Sequence, residues 1–118
     1  MTLEQQTEIG KIIISNEAVA TLAGIATIEC YGIVGMSPHR LKDGVGSLLG
    51  KESVSKGVEI IEKNNEFSVK VHIIVGYGTK ISQIAQNVMQ KVQYALKEYC
   101  GVRVDNVQVV VDSVRLVD

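Results

Sequence analysis

Hydrophobic and polar positions follow two different rhythms along this chain. Gly10 to Ser15 (GKIIIS) is a short apolar run with strand character. Ser15 or Asn16 then stands where a helix N-cap belongs. From Ala18 the apolar residues Val19, Leu22, Ala23, Ala26 and Cys30 recur at helical spacing, and Ile25 and Ile28 widen that stripe. On the same helix Ala20, Gly24 and Thr27 make a row of small residues, where either the chain's own sheet or another subunit's backbone can approach closely. Gly32 stops the helix, and Ile33 to Met36 is a short apolar piece.

Residues 37–57 (SPHRLKDGVGSLLGKESVSKG) lose both rhythms and hold the single Pro, which predicts an ordered loop with one short helix around Ser47 to Lys51. Alternation then resumes. Val58 to Lys63 and Glu66 to Val75 read as two strands joined by Asn64-Asn65, because Asn tolerates the positive φ of a two-residue hairpin turn. Phe67, Val69, Val71, Ile73 and Val75 point to a core, against Ser68, Lys70, His72 and Ile74 on a mostly polar face. Gly76-Tyr77-Gly78 is a turn, Thr79 a candidate cap, and Lys80 to Tyr99 a helix with Ile81, Ile84, Ala85, Val88, Val92, Ala95, Leu96 and Tyr99 on one side. Gly101 sits where a helix stop belongs, and a last strand runs from Val102 to about Val111 and on toward Val117, with a bulge near Asp112-Ser113 where Val114 and Leu116 change face.

The predicted order is β-α-β-β-α-β. It implies an α+β fold: a two-layer sandwich with two main helices on one face of a small mixed sheet. A ferredoxin-like topology is the simplest arrangement with that order. Residues 1–9 are polar and read as a flexible N-terminus, and residues 10–118 as a single domain without repeat or linker.

Composition narrows the function. The 118 residues are 46% hydrophobic but only 4% aromatic, enough for a core and too few for base-stacking platforms. Twelve basic against 13 acidic residues give a net charge of −1, so nucleic acid is not an expected partner. The N-terminus has neither a basic start nor an apolar stretch, so no secretory leader is expected. Asn16, Glu17 and Glu29 interrupt the most apolar region, short of the about 20 apolar residues a membrane span needs, and direct membrane insertion is not expected. Cys30 and Cys100 lie far apart outside any C-x-x-C, which fits reduced thiols acting as small apolar fillers in a cytoplasmic protein, with a disulfide between them as the lesser alternative.

Candidate chemistry is sparse. Gly44 to Ser53 (GVGSLLGKES) fails as a phosphate loop, since Val45 stands where the first glycine belongs and Glu52 where the hydroxyl belongs. Leu49 breaks the dinucleotide pattern. Gly32-Ile33-Val34-Gly35 has the G-x-x-G spacing of a nucleic-acid clamp, but its centre is apolar and better suits a turn. His39 and His72 lack acidic or thiol neighbours at metal-ligand spacing and read as solvated. No catalytic residue, metal site or cofactor is expected. Two features remain. The turn Gly76, Tyr77, Gly78, Thr79 and Lys80 delivers a helix N-terminus, a hydroxyl and a cation, and is either an anion or partner contact or an ordinary turn. The polar face of the second helix is rich in amides, and Gln83, Gln86, Asn87 and Gln90 are candidate partner contacts, because amides hydrogen-bond without the desolvation cost of charges.

Cys30-Tyr31-Gly32-Ile33-Val34-Gly35-Met36 and the run from Val75 to Ala85 (VGYGTKISQIA), followed by Val88 and Val92, resemble the alkaline shock protein family of Gram-positive bacteria, over about Gly10 to Val114. The resemblance implies a non-enzymatic cytosolic protein of cell-envelope homeostasis and stress response. It also implies a protein partner, either a membrane anchor or a lipid-metabolic enzyme such as a fatty acid kinase, and membrane association through that partner. A homo-oligomeric adaptor or scaffold is therefore the leading expectation. The rivals are a small-ligand or lipid-binding module closed by the 37–57 loop, and nucleic-acid binding through the Gly32–Gly35 turn with Arg40, Lys42, Lys51 and Lys56.

Overall fold

The computed structural model describes residues 2–37, 50–63 and 66–116. In order these form strands β1 (Thr2–Gln6) and β2 (Lys11–Ser15), helix α1 (Asn16–Ile28), strand β3 (Ile33–Met36), a 3-10 helix (Gly50–Gly57), strands β4 (Val58–Lys63) and β5 (Glu66–Gly76), helix α2 (Ile81–Ala95), a π-helical turn (Leu96–Cys100) and strand β6 (Asn106–Arg115). The fold is α+β, with both helices packed on one face of a four-stranded mixed sheet.

Alternation in β5 is realised as the pattern requires. Phe67, Val69, Val71, Ile73 and Val75 are all buried and meet Val19, Ala23 and Ala26 of α1 and Ile84, Val88 and Val92 of α2. β4 and β5 pair as an antiparallel hairpin from Val58↔Val71 to Lys63↔Glu66, while Asn64-Asn65 lies outside the described residues. β3 pairs antiparallel with the far end of the same edge, Ile33 opposite Val75 and Met36 opposite Ile73. The other edge of β5 takes β6 in parallel, which requires a crossover, and α2 supplies it. The register slips between Ile73↔Val111 and Ile74↔Ser113, so Asp112 is the extra residue of a bulge, where the break in the valine alternation places it.

Several expectations need correction. The polar pattern over residues 1–9 predicts a flexible terminus, yet Thr2–Gln6 forms β1, antiparallel to β2 from Thr2↔Ser15 to Gln6↔Lys11. A two-stranded hairpin is marginal alone. Leu3 and Ile14 tie this one to the core, and the Gln5 side-chain amide donates to the Cys100 carbonyl at 2.7 Å. The exposed Lys11–Glu4 ion pair at 3.5 Å adds little, on the order of 0–1 kcal/mol. Among the described residues β2 pairs only with β1, so the strand before α1 stays outside the main sheet and the ferredoxin-like arrangement does not form. Two added strands, β1 and β3, extend the predicted order. Val102 to Asp105 is a connector, not strand: the Asp105 amide donates to the Phe67 carbonyl and its carboxylate accepts from the Phe67 amide, both at 2.8 Å.

Caps and turns explain the helix ends. The Ser15 hydroxyl accepts from the Ala18 amide at 3.1 Å and caps α1. Thr79 does not cap α2; its hydroxyl donates to the Gly76 carbonyl at 2.7 Å, and Lys80 takes the N-cap position without a side-chain bond. At the other end the wider π-helical turn brings Leu96 and Cys100 inward and leaves Tyr99 70% exposed, so Tyr99 is not on the apolar face its spacing suggests. Gly101 ends the turn at φ 68°, the left-handed conformation of a helix stop. His72 is buried, not solvated, and its Nδ1 lies 3.2 Å from the Asp112 carboxylate, which the bulge has turned toward it. Of the 37–57 loop, residues 38–49 lie outside the described residues, including His39, Arg40, Lys42 and most of the short helix placed at Ser47 to Lys51.

The small-residue row of α1 faces its own chain. Ala20, Gly24 and Thr27 are buried, and a Cβ at Gly24 would sit 2.8 Å from both the Cβ and the carbonyl oxygen of Val54 in the 3-10 helix. The backbone of that helix has no freedom to move as a side-chain tip would. Gly24→Val should therefore cost about 1–3 kcal/mol or more, read as a lowered denaturant midpoint with an unchanged slope.

Candidate functional site

Helix α2 buries Ile84, Val88, Val92 and Ala95 and turns its amides outward. Gln83, Gln86, Asn87 and Gln90 are all exposed. The Gln83 amide donates to Asn87 Oδ1 at 3.0 Å, one turn along the helix. Concavity begins at Asn87 and Gln90. A groove of about 410 Å³ between the helices is lined by Glu29, Cys30, Tyr31, Asn87, Gln90, Lys91 and Tyr94. A second, of about 480 Å³, lies on the other flank of α2 and is bounded by Gln93, Lys97 and the Val102–Asp105 connector. Gln90 and Tyr94 line both. Gln86 lines neither of these two grooves, and Gln83 is likewise outside them.

The turn residues fall elsewhere. Gly76 is buried and donates to the Gly32 carbonyl at 3.1 Å, the Tyr77 amide donates to the Arg115 carbonyl at 2.7 Å, and the Thr79 amide points back to Gly76. These donors and the Thr79 hydroxyl are thus engaged within the fold. Gly78 adopts φ +93°, and Tyr77 and Lys80 are exposed. Lys80 and Lys97 are separated by seventeen residues of helix, roughly 25 Å at 1.5 Å each. The structure does not bring the turn and the grooves together.

Of the four tyrosines, sequence reasoning named Tyr77 but missed Tyr31, Tyr94 and Tyr99 as candidate contacts. All four are exposed: Tyr31 by 83%, Tyr77 by 74%, Tyr94 by 60% and Tyr99 by 70%. Tyr31, Tyr94 and Tyr99 lie along the helical layer, where Tyr94 and Tyr99 also flank a small cleft with Leu22 and Ile25. Tyr94 follows Gln90 by four residues, a signal available in the helical spacing. Gln93 also belongs here, its amide donating to the Val104 carbonyl at 3.4 Å. Lys91 and Glu29 pair across the helices at 3.5 Å in the exposed rim.

Both cysteines are free thiols. Burial pushes the Cys30 thiol above its ordinary 9.0, against a smaller downward pull from Lys91 and with a small push from Glu29. Burial alone raises Cys100. Neither is an activated nucleophile. Among the described residues no group of three or more His, Cys, Asp or Glu could hold a metal ion. No helix among them is long and apolar enough to cross a membrane.

The architecture defines a small two-layer α+β protein whose concave surface is built on one helix and its two neighbours. The pattern of the alkaline shock protein 23 family, described as having a cell envelope-related function, matches residues 4–116, and the chain belongs to that family. It is 44% identical over 117 residues to the uncharacterized protein YloU of Bacillus subtilis, covering 98% of each chain. It is 36% identical over 118 residues to the uncharacterized protein Spy1614 of Streptococcus pyogenes, covering 99% of this chain and 98% of the relative. The uncharacterized protein YqhY of Bacillus subtilis is 25% identical over 105 residues, 89% of this chain and 77% of its own. No solved structure matches significantly.

The raised thiols carry a sign for stability. A thiol that ionises less readily when folded favours the native state fully below its unfolded value of 9.0, and that contribution is lost as pH rises through the folded value. Stability should fall above about pH 9 with a slope that is shallower in the Cys30→Ala/Cys100→Ala variant, compared by urea titration across pH 8 to 10.5.

Proposed function

We propose that the protein is a non-enzymatic adaptor that supports cell-envelope homeostasis by holding a protein partner against helix α2. The observation that carries this reading is the exposed strip of Asn87, Gln90 and Tyr94, with grooves on both sides of it. Tyrosine offers a large contact area with few rotors to freeze, and is enriched in protein interfaces for that reason. Amides beside it satisfy a partner's backbone without stripping water from a charge. Gln83 and Gln86 extend the same face by one turn.

A lipid-binding module is the weaker reading, because an acyl chain needs an enclosed apolar lining. The two large grooves described here are open and carry Gln, Lys, Arg, Glu and Asn side chains. The family's cell envelope-related function supports an envelope role in general. Within that role the partner is a membrane anchor or an enzyme of fatty-acid or phospholipid metabolism, with self-association building the scaffold and stress conditions as its setting. The protein itself stays cytoplasmic and reaches the membrane through its partner.

Charge introduced into the strip at Gln90, and one turn before it at Gln86, should break the contact without unfolding the chain, since both positions are exposed. The tagged protein and its Gln86→Glu/Gln90→Glu variant would be used to capture partners from a membrane-containing Gram-positive extract, with mass spectrometry as readout. Recovery of an anchor or lipid-metabolic enzyme by the parent alone supports the adaptor. Partner recovery and oligomer size both unchanged in the variant would reject it.

A further inference from the structure

The two grooves beside α2 differ in charge. In the groove between the helices, Lys91 and Glu29 lie 3.5 Å apart and compensate one another. The groove on the other flank holds Lys97 on the π-helical turn and Arg103 on the connector. Among the described residues neither cation has a carboxylate within 4.0 Å or a side-chain hydrogen bond, in contrast to Lys11, Lys70 and Lys91. The acidic residue in this lining, Asp105, is exposed and has one carboxylate oxygen engaged, its Oδ2 accepting the Phe67 amide at 2.8 Å, which leaves the two cations in excess. The groove thus presents two unengaged cations beside a tyrosine, two glutamines and the edges of Val102 and Val104.

We propose that this groove receives an acidic segment of a partner polypeptide, its carboxylates on Lys97 and Arg103 and its neighbouring residues along Tyr94, Gln90 and Gln93. The proposal rests on the adaptor reading in taking α2 as the docking helix, and adds the chemistry of what docks. A polypeptide fits better than a small anion because the groove is open and shares Gln90 and Tyr94 with its neutral counterpart across the helix. An extended segment reaches both. Nucleic acid fits less well: its affinity comes from many phosphate contacts, whereas this groove has two cations, one acid and a chain of net charge −1 around it. Arg103 can grip a carboxylate through two parallel hydrogen bonds, and Lys97 acts as a mobile point charge beside it.

The test uses the full-length protein labelled with nitrogen-15 and titrated with capped hexaglutamate, hexaglutamine and hexalysine peptides. Hexaglutamate should shift the amides of Gln93, Tyr94, Lys97 and Arg103 saturably, and about 0.5 M salt should weaken it several-fold through screening. Lys97→Glu/Arg103→Glu should reduce the affinity at least about tenfold while circular dichroism and thermal midpoint stay as in the parent. An equal response to hexaglutamine or hexalysine, or an unchanged response in the double variant, would overturn the proposal. So would binding of phosphatidylglycerol vesicles or a single-stranded oligonucleotide through these residues when hexaglutamate does not bind. The double variant in the partner capture separates the two readings. If it keeps partners that Gln86→Glu/Gln90→Glu loses, the acidic segment is wrong and the adaptor stands; if neither variant loses any, both fail.

Discussion

The backbone of β5 meets β4 and then β3 on one edge, both antiparallel, and β6 on the other, parallel. A strand enclosed in this way has its amides and carbonyls satisfied along most of its length, so its side chains can be apolar on both faces. From Val71 to Val75 every residue is buried, including His72, whose polar ring is tolerable there because Asp112 lies beside it. That pairing depends on the bulge, since an unbroken ladder would leave no extra residue at position 112 to meet the ring. Both helices then lie where β5 puts its alternate side chains.

Parallel pairing of β5 with β6 also decides where the concave surface lies. The chain must return along the whole strand before β6 begins, and α2 with its π-helical turn spans that distance. One side of α2 is consumed by Val88 and Val92 in the core, so the amides face outward by geometry. The connector after Gly101 does not join the sheet at once. It drops Val102 and Val104 into the core and clasps Phe67 through Asp105, and the space left between it and α2 is the basic groove.

What could be read from the sequence was what short-range periodicity specifies. α1, α2, the β4–β5 hairpin pattern and the bulge near Asp112 follow from spacing, caps and turn residues within one window. β1 escaped because Leu3 is the only apolar residue in Thr2–Gln6, and its partner β2 lies beyond a polar turn. Thr79 misled because a hydroxyl before a helix can serve either the helix amides or the preceding turn, and here it donates to the Gly76 carbonyl. The exposure of Tyr99 depends on a turn one residue wider than an α-helical one, which a 3.6 period cannot express. The candidate contacts were half legible. Asn87 and Gln90 stand out as helical amides, whereas Tyr31 and Arg103 join them only through folding, from positions far apart in the chain.

The π-helical turn connects stability to this surface. An α-helical continuation would bring Tyr99 toward the core in place of Cys100. The wider turn instead buries Leu96 and Cys100, leaves Tyr99 outside, and holds Lys97 above the connector that carries Arg103. Several bonds fix it: the Val102 amide to the Leu96 carbonyl at 3.2 Å, the Gly101 amide to the Lys97 carbonyl at 3.1 Å, and the Gln5 side-chain Nε2 of the N-terminal hairpin to the Cys100 carbonyl at 2.7 Å. Each is worth on the order of 1 kcal/mol net, comparable to the preference of an isolated side chain for one orientation over another. The hairpin whose first strand reads in the sequence as a flexible terminus therefore braces the turn from which the basic groove is built. Cations held on braced backbone lose less freedom on binding than cations on a loop, which favours a contact at a surface as shallow as this one.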